Sequence, residues 1–195
     1  VLGLLTDING IPLCFEVHPG NTFEGNTLND IVEKMQKKFS IRRFIFIADR
    51  GLFSFANLEH IRNSQGEFIV GLKMGSLEKE VQEDFYQLDN FTWINDELAV
   101  YETRVREDRC IITWSKSRAD RDKRTREDVI EKIKKKIAVD KKKAKKLITN
   151  RNYKKYVKIE GDDRCELNHT AIAEEAAKDG FFGVITNVTS MSPAE

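Results

Sequence analysis

Asp49 is the residue that its neighbours equip best for chemistry. It follows the apolar run Phe44-Ile45-Phe46-Ile47-Ala48 and precedes Arg50 and Gly51. In open α/β sheets, ligands bind in the crevice beyond the carboxyl ends of the strands, and an acid after a strand buried on both faces points into it. A carboxylate held there by a rigid strand can share a divalent cation with a second carboxylate on a neighbouring strand. Arg50 adds a group that can contact a phosphate, and Gly51 lets the backbone turn or a ligand come close. A purely structural reading competes with this one. An Asp at a strand end often closes an Asx turn or caps the next helix, here one beginning around Phe53. The pattern alone leaves both open. Asp7 is a weaker candidate, because Asp7-Ile8-Asn9-Gly10 is already explained by turn chemistry.

Charge supplies the second feature. The chain of 195 residues carries 33 Lys+Arg against 32 Asp+Glu, a net +1. That balance hides an asymmetry: from Ser115 to Lys158 there are 19 Lys and Arg against 6 Asp and Glu, a surplus of 13, which leaves the rest at −12. The block holds Arg124 and the clusters Lys134-Lys135-Lys136, Lys141-Lys142-Lys143 and Lys145-Lys146. It is dense enough to attract a polyanion if most of it faces one way, and otherwise it is a solvated helix face. Cys14, Cys110 and Cys165 have no paired spacing, so neither a disulfide framework nor a zinc ribbon is written here, and a reducing cytosol is expected. His18, His60 and His169 are too scattered to suggest a metal site.

The elements that must position these residues follow from periodicity. An apolar content of 40% can build a core, and no apolar run approaches the roughly 18 residues a membrane helix needs. Val1 to Asp7 and Ile11 to His18 read as a β-hairpin, with Asn9-Gly10 supplying the positive φ angles of a tight turn. Thr27 is expected to cap a helix through Leu28, Ile31, Val32 and Met35. Phe44 to Ala48 reads as a central strand covered on both faces, Ser54 as the cap of a helix through Leu58 and Ile61, and Phe68 to Leu72 as another buried strand. Beyond it, Thr92 to Ile94, Leu98 to Arg106 and Arg109 to Trp114 read as short antiparallel strands. Thr125 is expected to cap a long basic helix with Val129, Ile130, Ile133 and Ile137 on one side. A helix from Thr170 to Lys178, ended by Gly180, leads back to a core strand from Phe181 to Thr186. Val1 begins within a strand and Ser190 to Glu195 resembles a helix start, so a piece of a longer chain is expected.

Three segments in order carry a resemblance. Gly3-Leu4-Leu5-Thr6-Asp7 through Ile11-Pro12-Leu13 to Pro19-Gly20-Asn21, then Ile47 to Ser54, then Asp179 to Asn187, resemble the DDE transposases of bacterial insertion sequences. The likeness is to the group whose ribonuclease-H-like core is interrupted before its last acid. It implies an α/β fold, a mixed sheet flanked by helices and interrupted by an α+β insertion. Residues 1–75 would be the first part of the core, 76–178 the insertion, and 179–195 the return to the core.

The resemblance further implies a bacterial, cytoplasmic enzyme that cuts DNA at transposon ends and joins them to a target. Two aspartates and a glutamate would surround two Mg2+ ions, with Mn2+ as a substitute. Asp49 falls on the second aspartate, as catalytic and metal-binding residue. The first acid would lie before Val1. The glutamate would lie on a helix after Asn187, and Val188 to Glu195 do not contain its signature. In-line displacement at phosphorus uses two metals about 3.5–4 Å apart, so a lone carboxylate is expected to leave the fragment inactive. Duplex DNA, as transposon end and target, is the expected partner, and processing two ends together implies a homodimer. Arg50, Arg124, Lys134, Lys135, Lys141, Lys142, Lys145 and Lys146 are the expected phosphate contacts. Trp93 and Trp114 could stack on a flipped base, although Trp in such strands is more often core. The alternative is a DNA-binding or assembly module, from a degenerate element, that does no chemistry. An unrelated phosphatase or hydrolase is disfavoured, because the chain has no second aspartate two residues after Asp49, no Gly-x-Ser-x-Gly elbow and no phosphate-cradling Gly loop.

Overall fold

In the computed structural model, which describes residues 2–7, 9–17, 37–38, 43–139, 151–160 and 164–192, the expected hairpin forms from β1 (Leu2–Thr6) and β2 (Pro12–Val17). Its turn is wider than a two-residue Asn-Gly connection. Of Asn9 and Gly10 only Gly10 takes a positive φ, at 80°. The Asp7 carboxylate closes the turn instead, accepting from the amides of Asn9 and Ile11 at 2.9 and 2.8 Å. The helix expected from Thr27 through Met35 lies outside the described residues.

β3 (Ile45–Ala48), α1 (Phe55–Asn63) and β4 (Glu67–Gly71) form a parallel strand-helix-strand unit. Ser54 caps α1 as expected, its hydroxyl accepting from the Asn57 amide at 3.1 Å. Leu58 and Ile61, three residues apart and so on one helix face, are buried. A short α2 (Lys79–Glu83) and several one-turn 3-10 segments lead to β5 (Thr92–Asn95), β6 (Leu98–Val105) and β7 (Asp108–Ser115). β7 runs directly into α3 (Lys116–Val139), which is followed by α4 (Arg151–Lys154), a hairpin of β8 (Val157–Glu160) and β9 (Arg164–Leu167), α5 (His169–Ala176) and β10 (Phe181–Thr186).

The fold is mixed α/β, with a six-stranded sheet in the order β3-β4-β10-β7-β6-β5 flanked by helices, as the ribonuclease-H-like expectation requires. The sheet is mixed because β3 runs parallel to β4 while β10 runs antiparallel to it. Two compact units divide the chain. One comprises residues 1–82, 102–112 and 182–195, the other residues 83–101 and 113–181. Leu58, Ile61, Phe68, Val70, Ile112 and Ile185 are buried in the first. In the second, Phe91 and Tyr86 pack edge-on against Phe181, at ring distances of 5.7 and 5.4 Å.

Two expectations are corrected. Among the described residues β3 is not a central strand. It ends the sheet order, and its residues alternate in exposure, with Ile45 41% and Ile47 74% exposed. An unbroken apolar run permits burial of both faces without supplying the second cover, and among the described residues β3 pairs only with β4. Nor does Thr125 start the basic helix, which begins at Lys116. Thr125 sits inside α3 and its hydroxyl donates to the Arg121 carbonyl at 2.9 Å. A helical Thr can bond one turn back, so its presence does not mark an N-terminus.

Candidate active site

The β3–β4 register pairs Ile45 with Glu67 and Ala48 with Val70, so the two parallel strands finish side by side. The residues that leave them, Asp49 from β3 and Gly71 to Lys73 from β4, therefore share one edge of the sheet, the carboxyl end where such sheets bind ligands. Asp49 and Arg50 are both exposed. Asp49 Oδ1 accepts from the Gly51 amide at 2.6 Å and caps the single 3-10 turn Arg50–Leu52. The structural role weighed for Asp49 is thus real, though the turn it caps is this short one, and Ser54 serves α1.

Capping occupies one oxygen. No hydrogen bond reaches Asp49 Oδ2 among the described residues, so the same side chain keeps an oxygen for a ligand. Asp49 by itself does not make a divalent-cation site. Among the described residues no group of three His, Cys, Asp or Glu side chains could hold a metal ion. Hard cations such as Mg2+ are bound through carboxylate oxygens together with substrate phosphates, and one carboxylate is an incomplete donor set.

Gly71 explains why Asp49 stands where it does. A β-carbon on Gly71 would lie 2.7 Å from the Arg50 amide nitrogen and 3.2 Å from the Asp49 carbonyl carbon. The backbone after β3 can come this close to β4 only because residue 71 has no side chain. Lys73, exposed at the end of β4, reaches back with its Nζ 3.4 Å from the Gly51 carbonyl oxygen. Neither Gly71 nor Lys73 stood out in the sequence. The signal that could have found them is the parallel pairing, which sets residues 71–73 beside Asp49-Arg50-Gly51.

The segment after β10 is anchored in the same unit. Asn187 accepts from the Phe68 amide at 2.8 Å and donates to the Gly66 carbonyl at 3.2 Å. The Thr186 hydroxyl donates to the Phe68 carbonyl and accepts from the Val188 amide at 3.0 Å. Arg109, paired with Glu102 at 2.8 Å, donates to the carbonyls of Val188 and Met191 at 2.7 and 2.9 Å. Its guanidinium holds the Glu102 carboxyl below the usual range. Elsewhere in this unit Asp108 is buried against Arg62 at 2.7 Å, with Glu59 and Glu107 on the same guanidinium. Burial pushes the Asp108 carboxyl up despite that pairing.

Of the basic candidates, Arg50 lies in this unit beside Asp49, and Arg124, Lys134 and Lys135 lie in the other. Arg124, Lys134 and Lys135 are exposed on α3, Arg124 and Lys135 opposite the stripe of Val129, Ile130, Ile133 and Ile137 and Lys134 beside it, one turn after Ile130. Lys135 pairs with Glu131 at 2.6 Å, and the Arg124 Nε donates to the Asp120 carbonyl at 3.2 Å. Lys141, Lys142, Lys145 and Lys146 lie outside the described residues. Trp93 is 49% exposed and meets Trp114 edge-on at 5.5 Å, while the Trp114 indole donates to the Asp179 carbonyl at 3.1 Å. Trp93 is therefore not a core residue, contrary to the usual tendency for Trp in such strands. Asp179 is also paired with Arg126. Gly180, with φ at 88°, has a position where a β-carbon would lie 2.6 Å from the Trp114 Nε1.

No curated protein and no solved structure is similar enough to this chain to count as a match. A family model described as the transposase DDE domain matches residues 2–193, nearly the whole chain, and the chain belongs to that family.

Proposed function

We propose that Asp49 is a catalytic, metal-binding acid of a DNA transposase that cleaves phosphodiesters at transposon ends and transfers the strands to a target. The family is one of transposases, enzymes that act on DNA, and it generally uses divalent metal ions. The observation that supports Asp49 is its position. It is an exposed carboxylate with one uncommitted oxygen, at the shared carboxyl end of the parallel strands β3 and β4. Mg2+, with Mn2+ as substitute, is the cation this reading assigns. The described residues do not by themselves complete such a site, so this reading has Asp49 act together with further acids, and residues 1–195 alone are expected to be inactive.

On this reading residues 1–75 and 179–195 form the catalytic core and residues 76–178 the insertion. Arg50, Arg124, Lys134, Lys135, Lys141, Lys142, Lys145 and Lys146 contact duplex phosphates, and two copies act together on paired ends. Asp49→Asn in the full-length transposase, assayed on a duplex carrying a transposon end, tests the central assignment. Cleavage and strand transfer are expected to vanish while DNA binding persists, and wild-type strand transfer by the mutant would rule the assignment out.

A further inference from the structure

We propose that Lys73 is a phosphate-binding residue of the Asp49 site, contacting the DNA strand beside the scissile group. Three observations converge on it. The register brings the end of β4 alongside the end of β3, with Ala48 paired to Val70. Gly71, which lacks the β-carbon that would strike the Arg50 nitrogen at 2.7 Å, allows the close approach of the two chain exits. Lys73 is exposed and its ammonium lies 3.4 Å from the Gly51 carbonyl, directly over the turn that Asp49 caps.

That single long bond engages one of the three ammonium donors and leaves the others for a further acceptor. No ion pair to Lys73 exists among the described residues, whereas Lys116, Lys135 and Lys155 each pair with a carboxylate. An ammonium beside a carboxylate that is exposed and not its partner suits a ligand carrying negative charge with room for a cation, and a phosphodiester next to a metal-binding acid has that character. Lys73 and Arg50 would then both contact the strand, Lys73 as a point charge and Arg50 as a planar fork.

The inference rests on the assignment of Asp49, and the test separates the two. In full-length transposase, binding and cleavage of a duplex carrying the element's terminal sequence are compared for Lys73→Ala, Lys73→Arg and Lys79→Ala. Lys79 is an exposed lysine on α2 whose loss removes the same net charge. Lys73→Ala is expected to weaken binding about tenfold at moderate salt and to lower the slope of log K against log salt by about one. Lys73→Arg should recover most of that loss. On a duplex with a neutral methylphosphonate at the contacted linkage beside the cleavage point, Lys73→Ala and wild type should bind alike.

Equal losses for Lys73→Ala and Lys79→Ala, or a Lys73→Ala defect that persists undiminished with every methylphosphonate placement, would overturn the proposal. If Asp49→Asn is inactive and Lys73→Ala behaves like Lys79→Ala, only the Lys73 inference falls. If Asp49→Asn cleaves normally, the reading of the site falls first. Both lysines are exposed, so their truncation leaves the fold intact and a thermal melt confirms it.

Discussion

A β-carbon at position 71 would meet backbone atoms of Asp49 and Arg50, not the end of a flexible side chain, and relief would require the strand exits to separate. Gly71→Ala is expected to destabilise the protein by about 1–3 kcal/mol, the usual cost of overpacking a tight site. Gly75, which has nothing within 4 Å of its missing β-carbon, is the control, and a chemical denaturation series on Gly71→Ala and Gly75→Ala compares the two. Equal midpoints would show that the approach is not tight in solution. Asp108 offers a different residue-scale test. Its folded pKa is raised above 3.8 by burial, which outweighs the Arg62 hydrogen bond. A raised carboxyl contributes stability that is fully present below the unfolded pKa and is lost as pH rises through the folded value. Wild type should therefore gain stability relative to Asp108→Asn as pH falls from neutrality towards 4, read as the difference between their melting temperatures. A constant difference across that range would mean that Asp108 keeps an ordinary pKa in the fold.

At the scale of elements, local chemistry accounts for some boundaries and packing for the others. Ser54 caps α1 through the Asn57 amide, and Ser54→Ala is expected to cost about 1 kcal/mol, measurable by urea unfolding. Asn168 caps α5 in the same way, accepting from the Ala171 amide at 3.2 Å. In α3 the lysines are exposed and the helix is held by its apolar stripe, in which Ile133 is fully buried. Ile133→Ala should cost about 2–5 kcal/mol, whereas an unchanged urea midpoint would mean that the stripe is loosely packed. The i to i+4 pairs Lys116–Asp120 and Lys135–Glu131 lie on the exposed side, where each contributes little.

For the whole molecule, the charge asymmetry is the property with functional reach. The surplus of basic residues between Ser115 and Lys158 is carried in part by α3, where Arg124, Lys134 and Lys135 face solvent. Phosphate contacts made there would release counterions from DNA without reading bases. Replacing Lys134 and Lys135 together by Gln should weaken duplex binding uniformly across sequences and reduce the salt slope by about two. A slope unchanged in filter-binding titrations would confine α3 to solubility.

Periodicity and turn chemistry determined the elements that depend on near neighbours. The β1–β2 hairpin, the Ser54 cap, the strands around Phe68 and Phe181 and the helix before Gly180 were all legible, because a few adjacent residues decide each of them. Asp49 was legible as a candidate for the same reason, an acid directly after an apolar run. Tertiary structure alone decided that β3 ends the sheet order and leaves Ile47 exposed, since whether a strand's second face is covered depends on chain far away in sequence. It also decided that Thr125 lies within a helix begun at Lys116, because the residues before it continue from β7 and its hydroxyl bonds one turn back. Gly71 and Lys73 joined the Asp49 site only through parallel pairing, a contact across some twenty residues that no local pattern announces. Local free energies are written in consecutive residues, whereas a site is assembled by register.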